Sequence, residues 1–481
     1  MEMKLVLTLV AMALAESFPM AAQTPSADAP ANPVANTSTN PASNPAGGGE
    51  PDTPSSERWN LSWQATSIGQ HHGSFASPYE GQNSLAAHSE SRVSLTTTLF
   101  LGLQLRRGLQ LYFNPEIAGG EGFSGVTGVA NATNGELPRV ATATPKPYIA
   151  RLYVTQDFGL GKATESFTGD ANQLAGERPM TRYSITVGRF TVTDFFDNNR
   201  YSHDPRKQFM GWAIMYNGAW DYPADVRGYT WGFEHEFHTR HWTLRQASVA
   251  EPRVANGLRF DRRLFVNRGD MAEAEVRYSV GDHPGAARLL GFVNHANSGT
   301  YAEALDLAAR THTTPDVTAT RHNGNRKAGA GLNVEQELTR DIGVFLRLGW
   351  NDGKTESFAF TAIDRLLNAG VSMTGQRWKR PTDSVATALI VSGVSGVHAV
   401  YLARGGLDFL IGDGRLTYGS ERVWESYYSA RVFRGLFATL GAQHIGNPGY
   451  NRDRGPLWVG SLRLHVEVDV RGLLPGKSNQ H

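Results

Sequence analysis

Residues 91–105, SRVSLTTTLFLGLQL, alternate between two chemically different faces over an unusual length. One face is aliphatic, and the other carries hydroxyl, amide and glycine residues, with Phe100 as the large apolar exception. A period of two residues predicts a β-strand. At about 3.3 Å per residue this strand extends about 45 Å, enough to cross a bilayer at a tilt. For this stretch alone, a half-buried strand of a soluble sandwich is an equally good interpretation.

The same alternation recurs along the rest of the chain, separated by turn residues. Closed bacterial barrels use even strand numbers, so sixteen strands are predicted, with eighteen as the alternative. The candidate strands, one more than sixteen, are residues 59–66, 91–105, 110–116, 148–157, 182–188, 228–237, 242–249, 272–280, 286–294, 326–338, 343–350, 355–363, 366–373, 385–394, 421–432, 436–444 and 457–468.

The residues opposite the aliphatic face distinguish a membrane barrel from a soluble sandwich. They mix Arg, Glu, Ser, Thr, Asn, Tyr and Gly, which suits a confined aqueous lumen, while the aliphatic face suits lipid. Only a closed barrel satisfies every backbone group in lipid without helices. We therefore predict an all-β fold, a closed antiparallel transmembrane β-barrel. Aromatic residues near the strand ends are expected in its interfacial girdles: Trp59, Trp63, Tyr148, Tyr229, Trp231, Trp242, Trp350, Trp424 and Trp458.

The two ends of the chain have a different composition from the barrel region. Residues 1–22 carry Lys4, an apolar run and small residues, which predicts a secretory signal peptide cleaved after Ala15 or Ala22. Residues 23–56 are rich in Pro, Ala and Asn and are expected to form a disordered linker. Residues 57–470 form the expected barrel, and 471–481 a polar tail. This organisation predicts export to the outer membrane of a Gram-negative bacterium.

Composition excludes several classes of function. The net charge is +1 and no cysteine is present, which argues against nucleic-acid binding and excludes disulfides and thiolate chemistry. Neither a metal site nor a cofactor is expected. Helical content is predicted to be minor, with a short helix at 301–310 and a strand followed by a turn and a short helix at 385–403.

Residues 194–229, DFFDNNRYSHDPRKQFMGWAIMYNGAWDYPADVRGY, interrupt the alternation, and we call them the insert. Irregular backbone at membrane depth is tolerated only beside protein or water, so the insert is predicted to fold into the lumen and narrow it. Aromatic rings can contact the C–H faces of a sugar, and the guanidinium group of arginine can donate to its hydroxyls. The alternative is a structural loop held by its own ion pairs.

Strand parity and the insert together give candidate channel-lining residues. Those on the inward-facing parity are Arg92, Glu116, Arg151, Arg182, Glu234, Arg245, Glu275, Arg277, Arg347 and Arg463. Those in the insert are Arg200, Arg206 and Trp212. Glu273 and Glu275 share a face and resemble a glycosidase pair, but the neighbouring Arg277 favours an electrostatic channel lining. No catalytic residue is assigned.

Five stretches resemble carbohydrate-selective porins of the OprB type. They are IGQHHGSFASPYEGQNSL at 68–85, LYFNPEIAGGEGFSGVTGVA at 111–130, KPYIARLYVTQDFG at 146–159, DFFDNNRYSHDPRKQFMGWAIM at 194–215 and YPADVRGYTWG at 222–232. The resemblance implies an outer-membrane barrel for passive sugar uptake through a constriction lined by basic residues. Two features depart from such barrels: the polar C-terminal tail and the long N-terminal linker.

The sequence therefore predicts a porin for small neutral solutes, such as mono- or disaccharides, that works without covalent chemistry. Its expected partners are small sugars and outer-membrane lipid, and it is expected to be a monomer or a homo-oligomer such as a trimer. Two alternatives stay open: a secreted β-rich carbohydrate-binding protein or glycosidase, and a structural outer-membrane barrel with a plugged lumen.

Overall fold

The computed structural model describes residues 56–137 and 144–470. The predicted signal peptide, most of the linker and the C-terminal tail lie outside the described residues. The strands are β1 Trp59–His72, β2 Glu90–Arg106, β3 Leu109–Gly120, β4 Lys146–Gly159, β5 Thr164–Phe167, β6 Gly176–Pro179, β7 Arg182–Phe190, β8 Thr230–His238, β9 Trp242–Ala250, β10 Arg268–Val280, β11 His283–Ser298, β12 His322–Thr339, β13 Ile342–Asn351, β14 Arg365–Gly375, β15 Arg380–Gly393, β16 Glu421–Phe433, β17 Leu436–Gly446 and β18 Leu457–Asp469.

Sixteen of these strands form one closed antiparallel barrel, which confirms the predicted fold class and strand number. Each barrel strand pairs with the next along the chain, and β1 pairs with β18 to close the sheet. The remaining two, β5 and β6, form a separate hairpin, so β4 pairs directly with β7. Closure leaves no free sheet edge, which is the condition for a sheet to cross lipid.

Connections at the two ends of the barrel differ in length. One end has short turns, such as residues 107–108 and 281–282, and the other has long loops, such as 191–229 and 394–420. In outer-membrane barrels the short turns are periplasmic and the long loops extracellular. The connection 160–181 is the exception, because it is long, carries the β5–β6 hairpin and lies at the periplasmic end.

The outer barrel face carries the aliphatic side chains, as the alternation predicts. Leu105 of β2 is 50% exposed, while Phe100 on the same strand points inward and is 2% exposed. Six of the predicted girdle tryptophans are exposed on the surface: Trp59, Trp231, Trp242, Trp350, Trp424 and Trp458. The girdle assignment is wrong for Tyr148 and Tyr229, because both hydroxyls donate to the inward carboxylate of Glu116.

The prediction of a strand at residues 355–363 is wrong, and the remaining sixteen candidates correspond to the sixteen barrel strands. This segment is part of the loop between β13 and β14. Its backbone amides at Phe358, Ala359 and Phe360 donate to Asp221 of the insert, and Phe360 is fully buried. Contact with the insert therefore replaces strand pairing.

Helices are few and short. The α-helices are Trp212–Met215, Tyr301–Thr311 and Gly396–Ala403, and the 3-10 helices are Phe123–Gly125, Val192–Asp194, Val317–Thr320, Gln376–Trp378 and Pro448–Tyr450. The predictions of a helix at 301–310 and of a strand followed by a helix at 385–403 are confirmed. Within residues 56–137 and 144–470, none of the helices has the length and apolarity needed for a membrane span.

The hydrophobic core lies inside the barrel and is built largely from the insert. Phe209 packs edge-on against Phe345 of β13 and Tyr427 of β16, with ring centroids 5.7 and 5.1 Å away. Trp212 and Trp220 of the insert are 0% and 1% exposed. The lumen therefore contains a packed, mostly aromatic segment that is enclosed by the polar inner wall.

Candidate functional site in the barrel lumen

Carboxylates on the inner wall hold the backbone of the insert. Glu273 of β10 accepts a hydrogen bond from the amide of Asp197 (2.7 Å), and Glu425 of β16 accepts one from that of Gly211 (2.9 Å). Buried amides need such partners because no regular ladder supplies them. The insert is thus attached to strands on different parts of the barrel wall.

Wall arginines hold the carbonyl groups of the same segment. Arg347 of β13 donates to the carbonyl of Ile214 (2.7 Å). Arg463 of β18 donates to those of Pro205 (2.6 Å) and Gln208 (2.7 Å). Both arginines are at most 1% exposed. These cations satisfy carbonyl groups of an irregular chain, so they serve as anchors for the insert.

Arg206 of the insert lies between two carboxylates. Its Nη2 is 3.0 Å from Oε2 of Glu116 on β3, and its Nε is 2.5 Å from Oε1 of Glu136. All three side chains are essentially inaccessible to solvent. Burial raises the pKa of the Glu136 carboxyl to about 7, although the Arg206 charge opposes this shift. Arg206 therefore joins the insert to the loop between β3 and β4 and to the wall.

Arg151 of β4 forms a two-pronged ion pair with Asp194 at the start of the insert. Its Nε and Nη2 donate to the two carboxylate oxygens at 2.7 and 2.5 Å. Burial raises the pKa of the Asp194 carboxyl above its usual value, while the Arg151 charge opposes that shift. The planar guanidinium matches the carboxylate geometry, which fixes the direction in which the chain leaves the wall.

Trp212 lies at the centre of the packed insert. Its ring stacks on Phe360 with centroids 5.6 Å apart and planes inclined by 6°, and its Nε1 donates to the carbonyl of Asn134 (2.9 Å). Since both ring faces and the ring nitrogen are enclosed by protein, Trp212 packs three loops together.

A continuous series of arginines and glutamates follows the inner wall from β7 to β12, and we call it the ladder. Arg245 lies 3.0 Å from Glu236, 3.0 Å from Glu273 and 2.9 Å from Glu275. Arg288 continues the series, 3.1 Å from Glu275. The members of the ladder are Arg182, Glu236, Arg245, Glu273, Glu275, Arg277, Arg288 and Glu335.

The ladder has equal numbers of arginines and glutamates and is partly open to solvent. The side chain of Arg277 is 29% exposed and that of Glu236 is 16% exposed. Beside them, Arg200 of the insert is 34% exposed and lies 3.4 Å from Glu337, which is 19% exposed. The wall from β8 to β12 therefore presents accessible donors and acceptors, in contrast to the buried anchors.

The structure separates the sequence-predicted residues into distinct groups. Buried anchors of the insert are Glu116, Arg151, Arg206, Trp212, Arg347 and Arg463. Members or neighbours of the ladder are Arg182, Arg200, Glu234, Arg245, Glu275 and Arg277. Arg92 is apart from both, near the extracellular end of β2, where it pairs with Glu90 at 2.8 Å.

Sequence reasoning missed several members of these networks. Arg288 was not selected because its strand also turns Ala286, Leu290 and Phe292 inward, so a polar period is absent. Glu236 has the same parity as the selected Glu234, and Glu273 the same parity as the selected Glu275, so strand parity was sufficient to include both. Glu136 lies in a loop and carries no periodic signal.

The periplasmic connection 160–181 crosses part of the barrel mouth. Asn60 of β1 donates to the carbonyls of Asp170 (3.0 Å) and Gln173 (2.8 Å), although the segment begins and ends at β4 and β7. Leu174 is 2% exposed. These contacts hold the connection across part of the periplasmic mouth.

Among the described residues, no group of three or more His, Asp or Glu side chains is arranged to hold a metal ion.

A closed sixteen-stranded barrel with an inward-folded loop and a polar inner wall defines an outer-membrane porin. The family model for "Carbohydrate-selective porin, OprB family" matches residues 83–467. The chain therefore belongs to the OprB family of carbohydrate-selective porins, and it is an outer-membrane carbohydrate channel. Membership of a channel family decides against the glycosidase alternative.

One solved porin structure supports the fold. The high-pH structure of Pseudomonas putida OprB has a TM-score of 0.63 at 15% identity, covering 85% of this chain and 94% of that one. The outer membrane channel DcaP of Acinetobacter baumannii has a TM-score of 0.45 at 10% identity, covering 85% and 97%. The structure of Pseudomonas aeruginosa OccK2 (OpdF) has a TM-score of 0.42 at 11% identity, covering 85% of this chain and 97% of that one. Comparison with curated proteins finds no match.

Proposed function

We propose that this porin conducts small neutral carbohydrates, mono- or disaccharides, by facilitated diffusion between the insert and the ladder. The observation that carries the proposal is the charge-balanced series of arginines and glutamates on the inner wall of β7 to β12. No covalent step and no energy input is needed, because each contact is a reversible hydrogen bond.

A balanced ladder suits sugars better than ions. Guanidinium groups supply fixed donors and carboxylates supply acceptors, so a hydroxyl group finds both along the same path. An ion would meet equal attraction and repulsion, and gains no net electrostatic stabilisation. Tyr201, which is half-buried beside Arg200 and packs on Gly343, offers an aromatic face to the apolar side of a sugar ring.

We assign direct solute contact to the accessible residues Arg200, Arg245, Arg277 and Glu236. The buried anchors, Arg206, Arg347 and Arg463 among them, instead position the insert and so set the width of the path. This division follows exposure, because a side chain that is at most 1% exposed cannot touch a solute without movement of the insert.

Liposome swelling with a graded panel of sugars tests the assignment. Arg277→Gln removes a donor from the path and is expected to slow disaccharide entry more than monosaccharide entry. The matched control is Arg240→Gln, which removes an exposed arginine from a periplasmic turn. Equal sugar profiles for both variants and the wild type would contradict the proposed path.

We further propose that the barrel assembles as a homo-oligomer. A chain of hydrogen bonds crosses the outer face of β7 to β10, from Tyr183 to His235 (3.2 Å), Gln246 (2.6 Å), Ser248 (3.1 Å) and Asp270 (2.5 Å). Polar groups are costly against lipid, and polar side chains hold membrane segments together. A neighbouring barrel that covers this chain of hydrogen bonds removes the unfavourable lipid contact.

Native mass spectrometry of the detergent-solubilised protein tests the assembly. The wild type is expected to carry two or three copies, and Gln246→Leu combined with Ser248→Ala is expected to shift it to one. A Leu440→Ala variant alters the exposed outer face of β17 and serves as the control. A monomeric wild type would contradict the proposed assembly.

A further inference from the structure

Basic side chains lie on the outer barrel face at the extracellular ends of neighbouring strands. They are Arg268 of β10, His295 of β11, Arg326 of β12, Arg365 of β14 and Arg422 of β16, and we call them the basic belt. Their outward direction follows from their inward neighbours: Lys327, Leu366 and Val423 are all buried in the barrel. The belt thus faces the membrane side of the rim.

The belt is confined to one side of the barrel. Among the described residues, the outward positions at this level on β17, β18, β1 to β4 and β7 to β9 carry no accessible lysine or arginine; they include His71, Val93, Ile149, Trp231 and Trp458. Arg189 of β7, which pairs with Trp231 in register, is 8% exposed and bound to Asp225 at 2.6 Å. Such asymmetry is not needed to orient a barrel in the membrane.

Register brings part of the belt into direct contact distance. Arg268 pairs with His295, and His295 pairs with Arg326, on three adjacent strands. Side chains directly opposite each other have Cβ atoms about 5 Å apart. His295 therefore lies between two arginines, and Asp270 is the carboxylate paired with Arg268 (2.9 Å).

Apolar surface lies directly below and beside the belt. Leu289 of β11, Leu367 of β14 and Leu389 of β15 are 61%, 43% and 52% exposed on the outer face. In the loop before β10, Phe265 is 96% exposed. A ligand for this surface therefore combines anionic groups at the rim with acyl chains along the barrel wall.

We propose that the basic belt binds the phosphorylated glycolipid of the extracellular leaflet, with its phosphates on Arg326, Arg365 and Arg422 and its acyl chains on the leucines below. Charge complementarity selects this occupant: arginine binds phosphate through paired donors. At Arg326, Arg365 and Arg422 a second copy of the chain fits poorly, because the same face would oppose its own positive charges. The contact between copies proposed above lies on β7 to β10 instead.

Binding of bisphosphorylated lipid A to the full-length barrel in detergent tests the proposal. The triple variant Arg326→Gln, Arg365→Gln, Arg422→Gln is expected to bind about a hundredfold more weakly, since each of the three arginines near a membrane surface adds about 1 kcal/mol to anionic lipid binding. The matched control, Arg107→Gln, Arg240→Gln, Arg340→Gln, removes the same charge from exposed periplasmic turns and is expected to bind as the wild type does.

Heat-modifiable migration verifies that both triple variants are folded, and sugar swelling is expected to be unchanged in both. Wild-type affinity in the belt variant would overturn the proposal. Equal weakening in the control would do so too, because the effect would then reflect net charge alone. Equally tight binding of dephosphorylated lipid A, or of phosphatidylglycerol, would overturn the assignment to a phosphorylated glycolipid.

Discussion

Replacement of Arg206 by methionine is expected to release part of the insert without opening the barrel. The substitution removes the cation between Glu116 and Glu136, whose side chains are at most 1% exposed. Removing one partner of a buried ion pair costs about 3–5 kcal/mol, because the other charge is left buried without a counter-charge. The strands keep their own backbone hydrogen bonds, so the cost falls on the docking of the insert.

The expected magnitude follows from this cost. At 1.4 kcal/mol per factor of ten, the detached fraction of the segment around Arg206 rises by roughly 100- to 4,000-fold. Hydrogen exchange at the amides of residues 202–216 measures this fraction. Single-channel recordings are expected to show larger and noisier currents at the same time.

Glu136 makes the effect of Arg206→Met dependent on pH. The pKa of Glu136 is already raised to about 7 by burial, and loss of Arg206 raises it further. When an acid has a higher pKa in the folded protein than in the unfolded chain, its contribution to stability is complete below the unfolded-state pKa and is lost as pH rises through the folded-state pKa. Detachment of the insert is therefore expected to increase between about pH 6 and pH 8.5. Adding Glu136→Gln is expected to recover part of the protection. Unchanged exchange in Arg206→Met at both pH values would refute the anchoring role.

Further predictions concern the ladder, the packed tryptophan and an extracellular contact. Arg277→Gln leaves one ladder glutamate unmatched, so the cation-to-anion permeability ratio from reversal potentials is expected to rise; an unchanged ratio would place the ladder outside the path. Trp212→Ala removes a fully buried ring and is expected to cost about 3–5 kcal/mol of insert docking and to increase conductance; wild-type conductance would contradict the packing role. His398 lies 3.1 Å from both Asp364 and Asp408, and although burial opposes its charge, these carboxylates raise its pKa to about 9. The stabilisation from charged His398 is complete below about pH 6.5 and is lost as pH rises through about 9. Protease sensitivity of the loop 394–420 is therefore expected to increase over that interval, and His398→Gln is expected to abolish the pH dependence.

Local periodicity was sufficient to predict the barrel but not the contacts of its loops. The alternation of each strand is a property of a few consecutive residues, which is why sixteen of the candidates are barrel strands. Residues 355–363 alternate in the same way, yet Phe360 stacks on Trp212 of the insert and the amide of Phe358 donates to Asp221. That contact joins segments far apart in the chain, so a local pattern does not contain it.

The candidate site shows the same limit. Parity identified the inward direction of Arg277 and Arg347, but it does not give depth or partners. Arg347 contacts the insert and is buried, whereas Arg277 belongs to the ladder and stays partly exposed. The periplasmic segment 160–181 was missed, because its hairpin is short and its contact with Asn60 is long-range.

The central claim is that this barrel conducts sugars between the insert and the ladder. Single-channel current of the purified wild-type protein in a planar bilayer, recorded while disaccharide is titrated, tests it most directly. We expect small open-channel currents that the sugar blocks in a saturable manner, with weaker block in Arg277→Gln. A protein that inserts as a heat-modifiable barrel but passes no current, or a current that no sugar blocks, would contradict the claim.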